Sequence, residues 1–121
     1  VETVDTWVYD YNTNNWEALT TPNPGPRAFS AMVYAAGIDQ FTLFGNGDPQ
    51  LMNDTWSFDI GTGTWTELPP QSPPEGRKNH AMAYSPTADR IILFGGNDGQ
   101  KDCLDTWLYD PKAITWTKVG P

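Results

Sequence analysis

"DTWVYDYNTNNW" at 5–16, "DTWSFDIGTGTW" at 54–65 and "DTWLYDPKAITW" at 105–116 are one segment written three times in a chain of 121 residues. Each copy carries two tryptophans nine positions apart, and the three copies together hold all six tryptophans of the chain. A period of about 20 to 50 residues marks a fold assembled from one repeated supersecondary unit, so the period governs every later assignment. Trp7, Trp56 and Trp107 are separated by 49 and 51 residues, while Arg27 to Arg77, Met32 to Met82 and Phe44 to Phe94 are each separated by 50. The differences fall in two connections: Trp16 to Arg27 spans 11 residues against 12 from Trp65 to Arg77, and Phe44 to Trp56 spans 12 against 13 from Phe94 to Trp107. Those connections are loops between fixed elements.

Within one period the pattern is that of short strands. "HAMAYS" (80–85) alternates Met82 and Tyr84 with Ala81 and Ala83, the two-residue period of an extended chain, and is assigned as strand a. "RIILFGG" (90–96), strand b, is apolar and β-branched without a polar face, which predicts a strand covered on both sides. Its double glycine lets the chain leave the sheet through positive φ, and Asn46 in the earlier copy is the non-glycine type that tolerates that region. "DTWLYD" is strand c, a turn-forming segment follows, and "TWTKV" is strand d. No segment of ten or more residues has an apolar stripe at helical spacing. The chain reads as all-β, built of four-stranded antiparallel sheets.

Composition excludes several classes of function. Fifteen acidic against seven basic residues give a formal charge of −8, which repels phosphate backbones, so no nucleic-acid partner is expected. No apolar run approaches the ~20 residues of a membrane helix, so no membrane insertion is expected. The N-terminus lacks the basic start and apolar stretch of a secretion signal. One cysteine, Cys103, excludes an internal disulfide and, with one histidine, His80, any Cys/His zinc cluster within the chain.

A four-stranded unit of about 50 residues with apolar residues on both faces needs neighbours over those faces, and radial stacking of such sheets gives a β-propeller. An aromatic at the end of strand a, "ILFGG", a Tyr or Phe two residues after the first Trp, and a second Trp seven residues later resemble the kelch repeat over essentially the whole chain, with Asn46 and Phe58 as minor departures. The resemblance implies that the paired aromatics hold strands c and d to each other and to the next blade. The blades are assigned as 1–21 (strands c and d only), 22–70 and 71–121. Closed propellers carry about four to eight blades. About 2.5 repeats are therefore expected to be an excerpt of a larger kelch propeller, with self-association through exposed blade faces and strand edges as the alternative.

A residue present in every copy is expected to do the same structural work in each. Asp5, Asp54, Asp105, Asp10, Asp59 and Asp110 are accordingly read as turn and strand-end residues and not as catalytic carboxylates. Arg27 and Arg77, just before strand a, divide between a salt bridge or carbonyl contact at the rim and a ligand contact. Loops that differ between copies are where a scaffold carries specificity, here "GNGDPQLMN" (45–53) against "GGNDGQKDCL" (95–104), and "PGPRAFS" (24–30) against "PEGRKNH" (74–80). By resemblance, kelch propellers bind partners on the face formed by the b–c and d–a loops. Arg27, Arg77, Lys78, Asn46, Asn97 and Asp98 map to that face as expected partner-binding residues. The partner expected is a protein, with a glycan as the other reading.

No catalytic residue, metal or cofactor is expected. A galactose-oxidase-like copper site needs several histidines, and the Glu-x3-Asp-x3-His iron pattern associated with plant specifier proteins is absent. The enzyme alternative is that the chain is part of a larger kelch-containing enzyme whose active residues lie outside it. His80 is read as a strand-a residue, replaced by Ser30 in the other copy. "NDGQKD" (97–102) lacks the spacing and terminal Glu of a calcium loop. "NDT" at 53–55 satisfies the N-glycosylation rule but opens strand c, and is read as a chance match.

Overall fold

The computed structural model describes residues 4–46, 50–69 and 71–120. Residues 47–49 of the loop at 45–53, residues 1–3 and the boundary prolines at 70 and 121 lie outside them. Among the described residues ten strands run in order: β1 (Thr6–Asp10), β2 (Asn15–Leu19), β3 (Ala31–Ala35), β4 (Gln40–Phe44), β5 (Thr55–Asp59), β6 (Thr64–Leu68), β7 (Ala81–Ser85), β8 (Arg90–Phe94), β9 (Thr106–Asp110) and β10 (Thr115–Gly120). They form an N-terminal hairpin β1-β2, a middle sheet β3-β4-β5-β6 and a C-terminal sheet β7-β8-β9-β10, all antiparallel with sequential neighbours. The fold is all-β, as the period-2 alternation requires.

The c–d turns explain why one segment recurs. The carboxylates of Asp10, Asp59 and Asp110 accept the backbone N–H two residues on, from Asn12, Gly61 and Lys112, at 2.8–2.9 Å. Asn14, Gly63 and Ile114 then close the turn at φ of 56°, 69° and 57°. Across each hairpin the strand-c aromatic meets the second tryptophan, with ring centroids 5.0 Å apart for Tyr9 and Trp16, 4.9 Å for Phe58 and Trp65, and 4.7 Å for Tyr109 and Trp116.

Sheet-to-sheet packing repeats a single hydrogen bond. Trp65 Nε1 donates to Thr6 Oγ1 at 3.0 Å, and Trp116 Nε1 donates to Thr55 Oγ1 at 3.1 Å. Trp65 and Trp116 thus each reach the threonine of the "DTW" segment in the preceding sheet. The core lies between the middle and C-terminal sheets, where Ala35 and Phe44 meet Ile91, Leu93, Tyr109 and Trp116. Phe44 stacks on Trp116 at 5.0 Å and stands edge-on to His80 at 5.6 Å.

The expectation of a strand b covered on both sides holds for β4, whose Thr42, Leu43 and Phe44 are all buried. It fails for β8. Ile91 and Leu93 are fully buried, but Ile92 and Phe94 are 38% and 53% exposed. The cause is position in the stack: β4 lies between two neighbours, whereas the outer face of β8 has none among the described residues.

Among the buried polar groups without a hydrogen-bond partner in the described residues is the hydroxyl of Tyr109. Tyr9 donates its hydroxyl to Asn14 at 2.7 Å, but Tyr109 faces Ile114 at the corresponding position, and its buried hydroxyl has no partner among the described residues. Burial, with the Asp110 charge, pushes that phenol well above its ordinary range. Removing an unpaired buried hydroxyl while keeping the ring lifts a desolvation penalty of about 1 kcal/mol. Tyr109→Phe, the residue type already present at Phe58, is therefore expected to raise the urea midpoint.

Candidate functional site

Strand a begins, strand b ends, strand c begins and strand d ends at the same edge of each sheet. The d–a and b–c loops consequently share one face. Two ion pairs fix their frame. Arg27 reaches Asp54 through Nη1 at 2.9 Å and Nη2 at 2.5 Å, and Arg77 reaches Asp105 at 2.6 and 3.0 Å. Each guanidinium also donates to the carbonyl that follows strand b, Gly45 at 2.8 Å and Gly95 at 3.0 Å. The same aspartates accept the first indole of the repeat, Trp56 and Trp107, at 2.7 Å.

This geometry assigns roles that the repeat alone left divided. Arg77 is 1% exposed and both arginines are held in bidentate pairs. Burial works against the Asp54 carboxylate, but hydrogen bonds from Arg27 and Trp56 outweigh it and hold its pKa below the ordinary value. The Arg77 hydrogen bonds, more than the opposing burial, drive Asp105 down strongly. Asn46 is likewise buried, at φ 24°, with its side-chain amide donating to the Ala28 carbonyl. Arg27, Arg77 and Asn46 are therefore tied into the frame of the face, and Arg27 and Arg77 each line a surface hollow.

Lys78, Asn97 and Asp98 lie nearer its surface. Lys78 and Asn97 exchange backbone hydrogen bonds at 3.0 and 2.8 Å, joining the d–a loop to the b–c loop. A shallow hollow beside them is lined by Lys78, Asn79, Gly96, Asn97 and Asp102, and a second, of about 400 Å³, by Glu75, Arg77, Asp98, Lys101, Cys103 and Asp105 among others. Asp98 Oδ1 accepts the N–H of Gln100 and of Lys101 at 2.9 Å, and Asn97 bonds Gly99 N and Asp102. The "NDGQKD" oxygens thus brace their own turn. Burial raises the Cys103 thiol above its usual value. The sequon at 53–55 has Asn53 exposed, while the Thr55 hydroxyl is buried under Trp116.

The sequence reading missed Phe29. It stands at φ 60° and is 66% exposed, and its carbonyl accepts the N–H of Asn79, which has the same φ in the next repeat. A bulky residue rarely takes the left-handed region, and such strain costs about 1–3 kcal/mol. The signal available in the sequence was the pairing of Phe29 with Asn79, a left-handed type, at the same offset from Arg27 and Arg77. Phe29→Asn is expected to raise stability by roughly 1 kcal/mol, read from urea denaturation.

His80 sits where the two sheets meet. Its Nε2 lies 2.8 Å from the Phe44 carbonyl, and its buried Nδ1 has no partner among the described residues. Burial first, then the Arg77 charge, pushes its pKa below the ordinary value, against the opposing hydrogen bond to Phe44. The unfolded chain, with an ordinary pKa of about 6.5, takes up this proton before the folded one does. Stability is therefore full above that pH and falls as pH drops through it. The urea midpoint is expected to decline from pH 7.5 to 5.5, and to decline less in His80→Gln.

A family model described as the KLHDC2/KLHL20/DRC7 Kelch-repeats domain matches residues 2–121. The chain is similar to the tRNA wybutosine-synthesizing protein 2/3/4 of Arabidopsis thaliana, 32% identical over 91 residues that make up 69% of this chain and 8% of that protein. An F-box/kelch-repeat protein of the same plant is 24% identical over 123 residues, covering 93% of this chain and 28% of the relative. The Arabidopsis serine/threonine-protein phosphatase BSL2 is 29% identical over 127 residues, covering 98% and 12%. The chain spans less than a third of each of these relatives.

Proposed function

Because the chain belongs to the kelch-repeat family, whose repeats form protein-interaction modules in general, we propose that it is a noncatalytic module that binds a protein partner through the b–c and d–a loops of one face. The observation that carries this reading is the backbone exchange between Lys78 and Asn97, which makes two loops of differing sequence into one surface. The buried arginine pairs beneath hold that surface without a contribution from the partner. A preorganised face loses less entropy on binding than mobile loops would. Phe29 supplies an exposed aromatic beside it, the residue type enriched at interface anchors.

The test is capture of protein partners by the purified chain, followed by binding of each purified partner to the wild type and to Lys78→Glu. Lys78 is half-buried and joins the two loops through its backbone, so the variant is expected to keep its urea midpoint and to weaken binding at least about tenfold. Unchanged affinity would remove this face from the account.

A further inference from the structure

The fold needs a left-handed residue at Phe29 but not an aromatic one. The φ of Phe29 is 60° and its ring is 66% exposed, so burial does not offset the strain of holding a bulky residue in that region. Asn79, at the same offset in the next repeat, takes the same φ with a residue type that tolerates it. Asn79 is also exposed, although a complete four-stranded sheet precedes it in the chain. Exposure therefore belongs to this position of the repeat and does not come from how much of the neighbouring sheet is present. The strained segment is held from both sides: Arg27 is pinned to Asp54, the Ala28 carbonyl accepts the Asn46 side-chain amide, and the Phe29 carbonyl accepts the Asn79 N–H. Through that last bond Phe29 adjoins the shallow hollow lined by Lys78, Asn79, Gly96, Asn97 and Asp102. There the Asn97 side chain is engaged with Gly99 and Asp102, while the Asn79 carboxamide makes no hydrogen bond among the described residues.

We propose that Phe29 and Asn79 recognise an extended segment of the protein partner, with one large apolar side chain of the segment on the Phe29 ring and its main chain paired with the Asn79 carboxamide. This rests on the loop face being a protein-binding surface. A carboxamide carries a donor and an acceptor in the arrangement of a peptide group, so it can satisfy both an N–H and a C=O of an extended chain. The hollow is shallow, which suits a segment laid across it and not a small molecule that must be enclosed. A ring carried on backbone fixed before binding covers a large apolar area at low entropic cost. Strain retained for recognition gives a distinctive signature: replacing Phe29 by the residue type found at Asn79 should stabilise the chain and weaken binding, whereas loss of a merely structural side chain would lower both.

The probe is a random dodecapeptide display library selected on the immobilised 121-residue chain, followed by titration of the enriched peptides, made synthetically, into wild type and variants. The enriched peptides are expected to share one large apolar residue. Phe29→Asn is expected to raise the urea midpoint while weakening these peptides at least about tenfold, and Phe29→Tyr, which keeps the ring, to hold their affinity within about twofold. Asn79→Gly keeps the left-handed backbone and removes the carboxamide, and is expected to weaken them at least about threefold. A selection without enrichment, peptides that bind Phe29→Asn as tightly as the wild type, a lowered midpoint in that variant, or binding to a glycan array where peptides fail would each overturn the proposal. Peptides weakened by Lys78→Glu but not by Phe29→Asn would overturn it and leave the loop face in place. Peptides weakened by neither would remove both.

Discussion

Trp116→Ala is expected to lower stability by about 3–5 kcal/mol, whereas Trp16→Ala, the same residue of the repeat, is expected to cost less than about 1 kcal/mol. The sequence gives the two tryptophans the same local setting, in "ITWTK" and "NNWEA". The structure separates them. Trp116 is 3% exposed, stacks on Phe44 and Tyr109, and donates to Thr55, while Trp16 is 64% exposed and stacks on Tyr9 alone among the described rings. Truncating the first leaves a cavity between two sheets and an unpaired buried hydroxyl at Thr55. Truncating the second removes surface already in water. Urea denaturation of both variants checks the ratio, and equal losses would mean that the tryptophans act within their hairpins and not between sheets.

Arg77→Met is expected to destabilise the chain by about 3 kcal/mol, the low end for breaking a buried ion pair because the Asp105 side chain retains 17% exposure. The substitution leaves the Asp105 carboxylate without its cation and the Gly95 carbonyl without its donor. Adding Asp105→Asn should recover part of that loss, since the uncompensated charge is then gone while the amide oxygen still accepts the Trp107 indole. A double variant as unstable as the single one would show that the carbonyl contact, not the charge pair, is what Arg77 supplies. The Asp105 pKa adds a pH signature. Its folded value lies far below the ordinary carboxylate range, so the stability it provides is present at neutral pH and is lost as pH falls below about 4.

What could be read from the sequence and what could not differ by range. Strands, turns and their order followed from local pattern: Asp110 capping its own turn and Tyr109 facing Trp116 across a tight hairpin are contacts within a few residues. The period located Arg27 and Arg77 but could not choose their partner, because Asp54 and Asp105 lie 27 and 28 residues away. The Thr55–Trp116 bond joins residues 61 apart, and nothing in "DTW" marks its threonine as an acceptor for another sheet. Exposure was the least accessible property. Ile92 and Thr42 occupy equivalent places, yet one is open and the other buried, because position in the stack and not residue type decides it. At the loop face, Lys78, Asn97 and Asp98 came from mapping loops that differ between copies onto the face that the family resemblance implies, while the strain at Phe29 is a backbone property that only its alignment with Asn79 in the next repeat signals.

The central claim is that the joined b–c and d–a loops form the binding face, and amide hydrogen exchange of the chain with and without a captured protein partner tests it most directly. The account predicts slowed exchange in residues 75–79 and 96–102, with the c–d turns at the opposite edge unchanged. Protection confined to those turns, or to the outer surface of β10, would contradict it.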